Sequence, residues 1–173
     1  MPVASCLTYV KGLLDGLPMP PGTGGNMAAY ILPPDPDEET QVPTAYVWPS
    51  QWKETRDPKT GGTVPRNTGW DTPSGTKSIV HTLDVYLTWF QPNETPDPRS
   101  DSLFPGIVDA VCVALRTAPT QVPVTDPYTG QPSTLVNIGE VIDGKTGLVA
   151  VSDEVWNRLD SLLTVTVWEI FRA

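Results

Sequence analysis

Charge is scarce in this sequence, and positive charge most of all. Only 18% of the 173 residues are Asp, Glu, Lys or Arg, and Asp plus Glu outnumber Lys plus Arg by 20 to 11, for a net charge of -9. No run of basic residues occurs, so the chain lacks the footprint of a direct nucleic-acid binder and repels a polyanion. There is one histidine and there are two cysteines, distant in sequence and not in a CxxC pair. That inventory argues against a zinc site. Cys6 and Cys112 lie within apolar patterns and are expected to be buried free thiols of a chain made in a reducing cytoplasm. No apolar run approaches the roughly 18 residues of a membrane helix. The opening stretch MPVASCLTYVKGLLDGL has no basic leader and carries charges inside its apolar part, so no secretory signal is read there. A Gly-x-Ser-x-Gly nucleophile turn is also missing.

Proline, by contrast, is abundant, with 20 residues, and there are six tryptophans. The prolines cluster, and the stretches between clusters are strongly apolar, which implies a folded core carrying long loops. Val3, Cys6, Leu7, Val10, Leu13, Leu14 and Leu17 recur at helical spacing. NMAAYILPP and Val42–Ser50 read as strands bounded by proline. Residues 49–77 form a long Pro-rich loop without apolar periodicity, in a single domain spanning 1–173, and loops of that length are often functional. Ser78–Phe90 alternates cleanly, with His81, Leu83, Val85, Leu87 and Trp89 on one side, so His81 is expected to be a core histidine. Phe104, Ile107, Val108, Val111, Cys112 and Leu115 mark a second helix over Asp101–Pro119, with Asp109 and Arg116 on its wet side. Two strands flank the turn TDPYTG. The stretch LVAVSDEVWNRLD reads as a short strand and then a capped turn or short helix, and SLLTVTVWEIF is the last strand. The fold expected is α+β, a mainly antiparallel sheet with two helices packed on one face.

The stretch Gly139–Gly147, GEVIDGKTG, spells the phosphate-cradling pattern G-x-x-x-x-G-K-[ST]. A working loop of that kind requires a helix to start at Lys145–Thr146. Gly147 and the β-branched residues after it are poor helix starters, and the chain from Thr146 to Ala173 is too short for the parallel strands of a nucleotide-binding fold. The stretch therefore reads as an Asp-Gly turn between strands, with Gly144 free to take positive φ and Lys145 and Thr146 at an exposed tip. No catalytic, cofactor-binding or metal-ligating residue is assigned, and a small nucleotide hydrolase is the remote alternative. Trp52, Trp70, Tyr128 and Lys145 are instead candidates for contacts with partners, since tryptophan and tyrosine are favoured interface anchors.

The order of elements has a precedent. An amphipathic N-terminal helix, a strand ending YILPP, the strand HTLDVYLTWF, the helix LFPGIVDAVCVALR, a hairpin and the closing strand LLTVTVWEIF together resemble the tail terminator proteins of long-tailed phages, particularly those of actinobacteria. The resemblance covers most of the chain. It implies a small α+β subunit, without catalytic residues or cofactor, that forms a homohexameric ring. Such a ring caps the tail tube, ends its growth and meets the head–tail connector or stopper at the head-proximal end of the virion, away from any membrane. DNA passes through its lumen without specific binding, and a net negative bore would suit that passage. Another neck protein, such as a stopper, is the alternative.

Overall fold

A computed structural model of the chain describes residues 3–31, 42–56, 76–92, 100–128, 130–140, 142–147 and 156–172. Two helices, α1 (Val3–Leu14) and α2 (Ser100–Arg116), accompany seven strands. The strands are β1 (Ala28–Tyr30), β2 (Thr44–Arg56), β3 (Thr76–Pro92), β4 (Gln121–Thr125), β5 (Pro132–Val136), β6 (Ile142–Gly147) and β7 (Trp156–Arg172). They form one curled sheet in the order β1-β2-β3-β7-β5-β4, with β6 also on β7. Among the described residues only β1 and β2 pair in parallel. The expected α+β class, mainly antiparallel with two helices, is what the chain adopts.

The two longest strands are the centre. β3 and β7 pair without interruption from Thr76↔Arg172 to Pro92↔Trp156. Their burial alternates with the pleat: Ile79, His81, Leu83, Val85, Leu87 and Trp89 face inward, as do Leu159, Leu163, Val165, Val167 and Glu169. Cys6, Val10 and Leu14 of α1 and Phe104, Ile107, Val111, Cys112 and Leu115 of α2 close over that face to make one core. Both cysteines are buried and free. α1 stops where Gly16 turns left-handed, at φ 76°. Asp15 there accepts a hydrogen bond from Lys11 and another from the backbone N–H of Ala29, tying the helix end to β1.

β2 contains a bulge at Pro49–Gln51, where the register against β3 slips by one residue. Proline has no N–H to give the ladder, and the hydroxyl of Ser50 bonds the carbonyl of Thr82 instead. The slip reverses the pleat. Trp48, opposite Asp84, points to the outer face, whereas Trp52, opposite His81, points to the helix side.

Three sequence expectations are corrected. The loop expected over 49–77 is shorter at both ends, because β2 continues to Arg56 and β3 begins at Thr76; residues 57–75 lie outside the described residues. Trp156–Asp160 belongs to β7 and forms no helical turn. The Ile142–Gly147 stretch is a strand paired with β7 and forms no turn. The turn falls upstream, where Asn137 (φ 55°) and Gly139 (φ 71°) are left-handed and Glu140 N–H bonds the carbonyl of Asn137.

Gly139 is pressed beneath the end of α2. A Cβ at this position would lie 2.5 Å from the carbonyl oxygen of Leu115. Gly139→Ala is expected to cost at least about 2 kcal/mol, from left-handed strain plus the clash. Gly12→Ala, in the last turn of α1 with nothing within 4 Å of the added carbon, is expected to gain about 0.5 kcal/mol. Urea unfolding of the two variants checks the opposite signs.

Candidate functional site

Among the described residues, a cluster of polar side chains inside the core spans three strands on the inner face. Glu169 of β7 is opposite Ile79 and Leu135, so His81 of β3 and Ser133 of β5 sit diagonally on either side of it. The carboxylate lies 2.9 Å from His81 Nε2 and accepts a 2.5 Å hydrogen bond from the Ser133 hydroxyl. His81 is 1% exposed and Glu169 0%. His81 Nδ1 and Ser5 Oγ are buried without a hydrogen-bond partner. The sequence expectation of a core histidine holds for His81.

This arrangement differs from a nucleophilic relay. There, imidazole stands between the acid and the hydroxyl and takes the hydroxyl proton. Here the carboxylate stands between, and Ser133 gives its hydrogen to Glu169. The cluster is sealed by α1, whose Cys6 lies close enough to feel Glu169. Burial first, then the negative charge of Glu169, pushes the Cys6 thiol far up from its ordinary value. Among the described residues no group of His, Cys, Asp and Glu is placed to hold a metal ion. The geometry is that of an ionisable side chain inside the fold with hydrogen-bonding neighbours arranged around it.

The surface candidates are scattered. Trp52 is 54% exposed on β2, at the margin of the helix layer. Tyr128 is 85% exposed at the tip of the β4–β5 hairpin. Its N–H bonds Asp126 Oδ1, and Gly130 N–H bonds the Asp126 carbonyl, so the expected TDPYTG turn forms around a buried aspartate. Lys145 is exposed on β6, opposite Leu162. The structure does not bring these three together, and Trp70 lies outside the described residues.

The phosphate-loop spelling is accounted for by β6. Lys145 and Thr146 extend a strand, so the helix N-terminus that would hold phosphates is not formed there. Gly144 is not left-handed. It faces inward in the ladder, and a Cβ on it would come within 2.9 Å of Leu163 Cδ2. A side chain there would require the Leu163 methyl to shift, and no turn requires a glycine at this position.

Sequence reasoning missed Glu169 and Ser133. Glu169 was accessible, since it continues the alternation of Leu163, Val165 and Val167. The sequence contains no signal for the outer-face aromatics Tyr30, Tyr46 and Tyr86 as a group, because each belongs to a different strand. Compared with known proteins, the chain matches no family model and no curated protein. Among the described residues no helix is long and apolar enough to cross a membrane.

The His81→Leu variant should lose about 3–5 kcal/mol of stability by stranding Glu169, whereas the His81→Leu/Glu169→Leu double variant should lose several kcal/mol less than the summed single losses. Denaturation of the four proteins of this cycle measures the coupling; a coupling near zero would remove the structural role. A second expectation concerns alkali. The folded state keeps the Cys6 thiol protonated, and burial raises Cys112 in the same direction. The unfolded chain releases these protons first, so stability is full below about pH 8.5 and falls as pH rises above it. Cys6→Ala should make that alkaline decline shallower, as read from denaturant midpoints between neutral and alkaline pH.

Proposed function

We propose that this chain is a structural subunit of a long-tailed phage virion, a tail terminator. Copies of it form a ring that caps the tail tube, stops its elongation and receives the head connector. The observation that carries the reading is the order of elements: an amphipathic helix, paired strands, the FPGIVDAV helix, a hairpin and a closing strand. In the fold these become two helices on one face of a mostly antiparallel sheet. Two further features support it. Exposed Trp52 and Tyr128 are the residue types that anchor protein interfaces. The net charge of -9 suits a bore past which DNA slides without counterion-releasing contacts.

The reading is tested by the mass of the purified protein, alone and mixed with the tail tube protein of an actinobacterial siphophage. A species near six times 18.8 kDa, or a complex with tubes at one end, is expected. A monomer that persists under both conditions would sink it. Association with filled heads and not with tails would reassign the chain to a neck stopper.

A further inference from the structure

The helices cover one face of the sheet, and among the described residues none lies on the other. That outer face carries an ordered row of side chains running across five strands. Tyr30 of β1 pairs with Tyr46 of β2, Tyr46 with Tyr86 of β3, Tyr86 with Leu162 of β7, and Leu162 with Lys145 of β6. Directly paired residues share a face, and the rings of Tyr30 and Tyr46 stack with centroids 6.0 Å apart. Tyr30, Tyr86 and Lys145 are exposed, and Tyr46 and Leu162 are half-buried.

The row reads aromatic, aromatic, aromatic, apolar, cation. It is complementary to its own reverse. If a second copy is turned over about an axis running along β3, each outer residue meets the residue equally far on the opposite side of β3. Tyr30 then faces Lys145, Tyr46 faces Leu162, and Tyr86 faces Tyr86. Each of these is a favourable contact: cation–π, apolar and aromatic.

A second row, about 20 Å along β3, repeats the pattern. Lys53 pairs with Val80 and Val80 with Trp168. The same operation sets Lys53 over Trp168 and Val80 over Val80. Lys53 is exposed, and Trp168 is 43% exposed. Two aligned sheets cross at about -30°, which shifts contacts by roughly one strand at the ends; a lysine stem spans that offset. Between the rows lies one opposing term: Asp84 falls on the axis and meets its own copy. In the single chain Asp84 accepts a hydrogen bond from Thr164, the neighbour that β7 places opposite it.

We propose that a second copy of this chain docks on the outer sheet face, giving a two-fold, face-to-face β-sandwich dimer held by lysine–aromatic contacts. The dimer uses the sheet face and not its edges, and the proposal is independent of the ring reading above. The patch is roughly 19 Å by 20 Å, smaller than the roughly 800 Å² per partner of a standard interface. A weak dimer is therefore expected, forming between micromolar and millimolar concentrations.

Sedimentation velocity over that range, with three substitutions, tests it. Lys145→Glu should weaken the dimer about tenfold, because two symmetric cation–π contacts are lost. Asp84→Asn should tighten it about threefold by removing the like charges on the axis. Tyr86→Cys should be cross-linked between copies by a short bismaleimide. Val113→Cys, exposed on α2, should not; the native cysteines are buried and serve as the unreactive background. Circular dichroism confirms that each variant is folded. A monomer throughout the range overturns the proposal, as does a dimer indifferent to both charge substitutions. A six-subunit ring that ignores them overturns the dimer and leaves the terminator reading standing. A dimer with the stated pattern and no ring does the reverse.

Discussion

The pairing of β3 with β7 is the constraint from which the rest follows. Their ladder is the longest among the described residues; β2, β5 and β6 pair directly with one of the two, and β1 and β4 join the sheet through β2 and β5. A slip of one residue would turn every inward side chain outward. Hydrophobic alternation opposes such a slip, and Glu169 opposes it more sharply. In its present place the carboxylate meets His81 and Ser133. One residue away, Trp168 would enter the core and the imidazole would lose its partner. An ionisable pair in a core adds little net stability compared with a well-packed apolar pair, yet it penalises wrong arrangements heavily. The cluster belongs to that class of interaction.

The ladder also determines what the surface presents. Its inner face is consumed by α1 and α2. Its outer face keeps Asp84 and Thr164, Thr88 and Asp160, joined across the strands by hydrogen bonds. Arg158 completes this strip, reaching Asp160 at 2.9 Å while lying over the Phe90 ring. The outer face is thus internally organised, with polar pairs interleaved among tyrosines. The bulge in β2 divides the tryptophans between the two sides, sending Trp48 outward and Trp52 to the helix margin.

Much of the frame was legible from the chain because it rests on local periodicity. The inward residues of β3, the stripe of α2 and the TDPYTG turn all follow from spacing and turn chemistry. What escaped was non-local. IDGKTG has little strand propensity of its own; it extends because β7 offers it a free edge from Asp160 to Val165. The bulge has only Pro49 as a sign, and a proline alone does not say which way Trp52 will face. The tyrosine row depends on the registers of two strand pairs at once, and its continuation to Lys145 on two more, which no window of sequence contains. The turn expected at Gly144 is instead made at Asn137–Gly139, where proximity to α2 decides the backbone.

The distance along the chain between the two central strands has a kinetic meaning. His81 and Glu169 are 88 residues apart, so β3 emerges long before the strand that completes it. Loop-closure entropy must be met before any contact of that ladder is rewarded. Until then the apolar face from Ile79 to Trp89 has only β2 beside it and an open edge toward solvent. Folding of this chain should be slow for its size. Its most aggregation-prone moment is the interval between the making of β3 and the arrival of β7.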